Sequence, residues 1–242
     1  DTTVANTPVY RSGLAEGGAD KPYQAESLSM KRFGAGVVAY VGSQSRAGFT
    51  EFAADDLVKD ELDECDQDNI PMAEERLSHS INPTRTYVGN PTFTNYGIDA
   101  LYRKSDRKTW QLKCSSCGMW QTPDFFKNVV REVAPETYVL MDSLYTREMK
   151  RDINHCCQKC GKPMDRFAKG EWVPELRGMD LSGYRISKLF STSVQIKGIV
   201  ERYEHGEKDP VVMQRFYNAD LGLSYVAKGA KIDTQMLDDC IE

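Results

Sequence analysis

Cys114-Ser-Ser-Cys117-Gly118 and Cys157-Gln-Lys-Cys160-Gly161 are the two stretches that decide how the middle of this chain is read. In each, a thiolate at either end of a tight turn can reach one ion, and the glycine after the second cysteine supplies a left-handed backbone position. Two such knuckles predict a tetrahedral four-cysteine zinc site, closed and structural, with no open position for catalysis. The competing reading is a pair of disulfides or redox motifs. Seven cysteines with no secretory leader and no long apolar run favour a reducing compartment, which disfavours it. The gap between the knuckles is longer than a simple ribbon needs, so an insertion is expected there. Cys156 lies beside Cys157 and either could ligate, although Cys157 gives the CxxC spacing. Cys65 and Cys240 read as ordinary thiols.

A chain of 242 residues can bury a real core. No stretch is long and apolar enough to span a bilayer, so no membrane partner is expected. The formal net charge of −5 is unevenly spread: residues 51–80 hold eleven acids against two bases, and residues 103–170 hold fourteen bases against eight acids. The zinc region is therefore a candidate for contacting an anionic partner, although a zinc centre with four thiolates offsets part of that charge.

Outward from the knuckles the pattern is mixed. Residues 1–30 read as loop around Gly17-Gly18. Gly36–Val41 reads as a buried strand, Asp55–Asp60 as a weaker one, Pro71–Ser80 as a helix with proline in its first turn, and Thr84–Val88 as a strand ending at Gly89-Asn90-Pro91-Thr92. Three short strands with a helix between two of them predict a parallel α/β sheet. Between the knuckles, Val129-Val130, Val133 and Tyr138–Met141 predict a hairpin or strand. The last seventy residues read as mostly helical: Ser193–Glu204 puts Val194, Ile196, Ile199, Val200 and Tyr203 on one face, and Asp209-Pro210 opens a second helix that Gly222 stops.

Asp60-Glu61 closes the weaker strand. Adjacent acids at the carboxyl end of a parallel strand suit Mg²⁺-nucleotide chemistry: the first holds the metal's water shell and the second orients or deprotonates an attacking water. Asn90 and Thr92 could sense a phosphate through an amide or hydroxyl. Against these stands the ordinary reading, a solvated acidic loop and an Asn-Pro turn. The chain holds no G-x-x-x-x-G-K-[ST] loop to wrap phosphates, so alone it is expected to hydrolyse nucleotide negligibly.

Taken in order, the segments resemble the large terminase subunit of tailed phages, in its lambda-type family with a zinc ribbon. The matching stretches are Leu28–Phe33 with Val41–Ser45, the "DE-x-D" of Asp60-Glu61-Leu62-Asp63, Gly89–Thr92, the knuckles with Gly170-Glu171-Trp172, and Phe216–Gly222 as "F-x-N-x-x-L-G". The resemblance implies a partial ASCE/RecA-like P-loop ATPase sheet over 1–108, carrying Walker B and a coupling motif. A four-cysteine zinc ribbon follows over 109–175, and a helical segment over 176–242 leads toward a missing nuclease domain. Asp233, Asp238 and Asp239 make no convincing nuclease cluster.

The family further implies a parent that couples ATP hydrolysis to double-stranded DNA translocation into a capsid and cuts concatemers. Asp60 would hold Mg²⁺, Glu61 would be the catalytic glutamate, and Asn90 and Thr92 would couple hydrolysis to motion. Mg²⁺ and ATP would be cofactors of the complete parent, and structural Zn²⁺ would sit on Cys114, Cys117, Cys157 and Cys160. Expected partners are double-stranded DNA, the small subunit, the portal and procapsid, and further copies of the chain, in the host cytoplasm and transiently at the procapsid. Two alternatives remain: a non-enzymatic zinc-ribbon module that binds DNA or protein, and a purely structural ribbon.

Overall fold

The computed structural model describes residues 29–33, 36–44, 46, 53–141 and 153–226. Gly17-Gly18, Leu28, Ser45, Asp233, Asp238, Asp239 and Cys240 lie outside them. The architecture is mixed α/β, built from several small sheets. The chain divides into two compact units, Asp1–Leu57 with Cys65–Thr86, and Val58–Glu64 with Tyr87–Glu242. Among the described residues no helix is long and apolar enough to cross a membrane.

In the first unit, β1 (Met30–Phe33) and β2 (Gly36–Ala39) form an antiparallel hairpin, with Met30 opposite Ala39. The expectation of a buried strand at Gly36–Val41 is corrected here: Val37 is 52 % exposed, Val38 42 %, and all four residues of β2 face solvent. A lone hairpin covers neither of its faces, so apolar side chains alone do not bury a strand. Nor, among the described residues, does β2 join a parallel sheet, since its strand partner is β1. Helix α1 (Ile70–Glu74) has Pro71 in its first turn as expected, then tightens into a 3₁₀ turn at Glu75–Leu77 and buries Ala73 and Leu77.

The parallel element of the prediction survives in one pair, β3 (Asp56–Lys59) with β4 (Thr84–Tyr87). The Thr84 N–H donates to Asp55 O at 3.0 Å, and the Val88 N–H donates to Lys59 O at 2.8 Å. Both register positions advance together, which makes the pair parallel. Lys59, which breaks the apolar run, is buried with its ammonium 5.0 Å from the centre of the Tyr87 ring. The pleat that turns Lys59 inward turns Val58 outward.

In the second unit, helix α2 (Gly97–Lys104) leads into a sheet centred on β5 (Lys108–Lys113). β5 pairs antiparallel with β6 (Trp120–Gln121). The sequence reading did not isolate α2. The insertion between the knuckles is the expected hairpin, β7 (Val130–Ala134) with β8 (Thr137–Leu140). β9 (Gly170–Val173) then pairs antiparallel with β5, and β10 (Tyr184–Arg185) pairs with it in parallel.

Helix begins later than expected, at α3 (Ile196–Gly206) and α4 (Pro210–Arg215). Residues 176–195 are largely irregular, because Gly178, Gly183 and the serines at 191 and 193 interrupt any helical period. Asp209 caps α4 as predicted, its carboxylate accepting from the N–H of Val211 at 2.9 Å. A wide π-turn, Phe216–Leu221, follows and ends at Gly222 in the left-handed conformation.

The main core gathers α3, this turn, a second π-turn at Phe125–Val129 and the hairpin. Ile196, Ile199, Val200 and Tyr203 of α3 are buried as their spacing predicts. Phe216 is fully buried, 4.9 Å from Phe125 and 5.4 Å from Tyr203 between ring centres. Asp220 sits beneath this core at 1 % exposure, held by Lys188 at 2.7 Å and by Arg202. Truncating Phe216→Ala should cost about 3–5 kcal/mol, read as a lowered urea midpoint at unchanged slope. A shift under about 1 kcal/mol would show that Phe216 is not central to this core.

Candidate functional site

Two sites emerge. In the first, the sulfur atoms of Cys114, Cys117, Cys157 and Cys160 all lie within 4.8 Å of one another. Cys114 and Cys160 are 3.8 Å apart and Cys117 and Cys157 3.6 Å, too far for disulfides. A tetrahedral thiolate site with metal–sulfur bonds of about 2.3 Å has edges of about 3.8 Å, so the donor set fits one metal ion. The knuckles are built alike. The Gly118 N–H donates to Cys114 O and the Gly161 N–H to Cys157 O, both at 2.9 Å, with φ of 74° and 68° at the two glycines. Of Cys156 and Cys157, it is Cys157 whose sulfur joins the cluster. Cys156 instead bridges to Pro163 through its backbone, and its N–H donates to Asn128 O at 2.6 Å.

A buried amide network seats the second knuckle. Gln121 Nε2 donates to the Cys157 sulfur at 3.1 Å. Its Oε1 accepts from Asn128 Nδ2 at 2.8 Å and from the Gln158 N–H at 3.0 Å. Asn128 also donates to Cys156 O at 2.8 Å and accepts from the Asp124 N–H at 2.9 Å. Burial opposes ionisation of the Cys157 thiol, but the Cys160 N–H, the Gln121 amide and the Lys159 N–H outweigh it and bring its pKa down to about 6. This network was not read from the sequence. The available signal was Asn128 itself, an amide between Phe125-Phe126 and Val129-Val130, where a polar group must find partners.

The second site is the end of β3. Asp60 and Glu61 are exposed, and Asp60 Oδ1 accepts from the Glu61 N–H at 2.9 Å. Glu61 has φ of 50°, a left-handed conformation uncommon for a residue with a side chain. The Leu62 N–H donates to Val88 O at 3.0 Å, which brings the end of β3 against the Gly89–Thr92 loop. Asn90 is exposed and lines a cleft of about 80 Å³ with Tyr102, Tyr184 and Arg185.

The acid that binds this loop is Asp63, a position quoted in the motif but given no role. Its carboxylate is buried. Oδ2 accepts from the Thr92 N–H at 2.8 Å and from the Thr92 hydroxyl at 2.7 Å, and Oδ1 accepts from the Ile98 N–H at 2.6 Å. The Ile98 bond lies in the first turn of α2, where negative charge meets the helix dipole and free N–H groups. The conventional cap position, Tyr96, offers no side-chain cap, so Asp63 serves instead. In the same first turn, Asp99 is buried. Burial resists its ionisation, yet Arg103 at 2.6 Å and the Asn95 N–H at 2.8 Å hold its carboxyl below the usual range.

Known families match the chain in two stretches. The model described as "Phage terminase large subunit gpA, ATPase domain" matches residues 1–178. The model described as "Terminase large subunit gpA, endonuclease domain" matches residues 181–242. No curated protein and no solved structure matches.

The Asp63 contacts depend on Gly97. Its φ is +47°, and a Cβ there would meet Asp63 Oδ1 at 1.9 Å. Gly97→Ala should therefore destabilise the protein by roughly 2–4 kcal/mol, combining backbone strain with a displaced carboxylate. Gly178→Ala is the control. That glycine is also left-handed, at φ +73°, but has open space around it, so the change should cost only about 1 kcal/mol in thermal or urea melts. Equal costs at the two positions would refute a carboxylate packed against Gly97.

Proposed function

The chain belongs to the phage terminase large subunit gpA family, and from that premise we propose that it carries the catalytic strand end of the motor ATPase, a four-cysteine zinc ribbon and the approach to the nuclease. The carrying observation is the arrangement at β3. Asp60-Glu61 ends a strand whose parallel neighbour β4 leads into Gly89-Asn90-Pro91-Thr92, and a carboxylate from the same acidic motif grips that loop. This is what a partial ASCE-type sheet requires, with the acids and the coupling loop on adjoining strand ends.

In this reading Asp60 would hold the water shell of Mg²⁺ and Glu61 would orient the attacking water. Both side chains are exposed, which makes their carboxylates accessible to a magnesium nucleotide. Mg²⁺ and ATP supply the transferable phosphoryl group and the charge that neutralises it. Asn90, exposed at the cleft, senses the phosphate, and Thr92, fixed to Asp63, passes the change on.

Zinc is the ion we assign to the four cysteines, since a closed tetrahedron of four thiolates on paired knuckles is the donor set of structural zinc. The ribbon braces the sheet around β5 and lies in the basic part of the sequence, which suits contact with double-stranded DNA. The partners follow the family: double-stranded DNA, the small subunit, the portal and procapsid, and further copies of the chain, in the host cytoplasm. The parent then couples ATP hydrolysis to DNA translocation and cuts the concatemer. A zinc-ribbon binding module without enzymatic activity has no need of the exposed Asp60-Glu61 pair beside the Gly89–Thr92 loop.

In the complete parent protein, Glu61→Gln should lower ATP turnover by about 10²–10⁴-fold with nucleotide binding retained. Unchanged turnover removes Glu61 from the mechanism. The purified chain should contain one zinc ion by elemental analysis, and Cys117→Ser should lose it together with several degrees of melting temperature. A chain without zinc that melts identically before and after chelation would overturn the ribbon.

A further inference from the structure

Thr92 uses every polar group it has, and uses them in two directions. Its N–H and hydroxyl bind Asp63. Its carbonyl accepts from Asn218 Nδ2 and from the Tyr225 N–H, each at 3.4 Å. Beside it, the Ser224 hydroxyl donates to Asp99 Oδ1 at 3.2 Å and lies 3.4 Å from the Thr94 hydroxyl. The same few residues of loop thus meet the acidic strand end on one side and the stretch 216–225 on the other. Thr92 falls in the stretch matched by the ATPase-domain model, and 216–225 in the stretch matched by the endonuclease-domain model.

We infer that residues 216–225 form a latch on the coupling loop, with Asn218 and Ser224 as positioning residues that make movement of Thr92 felt in the C-terminal segment. This rests on the reading of Asp60-Glu61 and Gly89–Thr92 as motor elements. Two further observations support it. The first is a contrast in bond length. Asp63 binds its three donors at 2.6–2.8 Å, whereas the latch contacts are 3.2–3.4 Å, long for hydrogen bonds. Thr92 is therefore fixed to the acidic motif and more weakly attached to the latch, so a shift of the loop strains the latch first.

The second observation is Asn218 Oδ1, which is buried with no partner among the described residues. Such a group is destabilising, and an apolar side chain of similar size would serve packing better. Packing therefore does not account for an amide at this position, while its donor end reaches Thr92. The latch is rooted on its other side. Phe216 is fully buried in the core, and the Tyr217 and Tyr225 rings stack 4.4 Å apart at 5°. A pull at Asn218 or Ser224 thus reaches a rigid support.

The test uses the complete parent motor with DNA and empty capsids, and measures ATP turnover together with base pairs packaged per ATP. A variant that merely folds poorly reduces the number of active motors, lowering turnover and packaging together and leaving their ratio intact. Asn218→Leu and Ser224→Ala should keep ATP turnover within about twofold and lower base pairs per ATP by at least about threefold. An unchanged ratio in both variants overturns the latch, as does a loss confined to turnover. If Asn218→Leu does not fold, Ser224→Ala alone decides. Glu61→Gln, run in parallel, separates the two claims. If it abolishes turnover while the latch variants keep their ratio, the latch fails and the motor reading stands. If it leaves turnover intact, the motor reading itself has failed.

Discussion

A carboxylate taken out of water must be met by donors, and Asp63 is where that requirement organises this chain. Its two oxygens collect the N–H and hydroxyl of Thr92 and the first-turn N–H of Ile98. One side chain thereby fixes the Gly89–Thr92 loop relative to β3 and sets where α2 begins. An unmet buried carboxylate is far more costly than a surface one, so this arrangement is close to all-or-none. Gly97 is part of the same constraint, because only a residue without a Cβ leaves room for Asp63.

The cysteine cluster solves a different problem. The sheet around β5 is small, and its satellite core of Leu112, Cys114, Cys157 and Met164 is too slight to hold two loops in place. Four sulfurs placed to hold one ion bring together residues far apart in sequence, and the Gln121–Asn128 network aligns the second knuckle with the π-turn at Phe125–Val129. The network connects metal site and main core through amides whose hydrogen-bonding groups are well used, which favours one arrangement over near alternatives.

Legibility in the sequence followed the range of the physics. The knuckles were readable because spacing and glycine are local, and both glycines are left-handed. The face of α3 and the Asp209-Pro210 cap were readable because helical period and capping are local too. The sheets were legible only in part: the β7–β8 hairpin and the β3–β4 pair follow the expectation, and other pairings do not. Gly36–Val41 looks buried by composition but lies in a hairpin whose faces are open, since burial depends on what covers a strand. Residues 176–195 look like part of a helical region, yet β10 joins a sheet whose centre lies some seventy residues earlier in the chain. At the acidic motif the sequence singled out Asp60 and Glu61 for chemistry. The role of Asp63 depends on Thr92 and Ile98, contacts that no spacing rule encodes.

Glu61 adds a tension of another kind. Its left-handed backbone is the conformation glycine adopts most easily, and a side chain there costs roughly 1 kcal/mol. Selection for stability alone would drift this position toward glycine or asparagine. On the role proposed for Glu61, a lineage that keeps glutamate gives up folding free energy at one residue for its carboxylate. Conversely, a gene that has ceased to need that carboxylate should lose it early, because decay at this position makes the protein more stable.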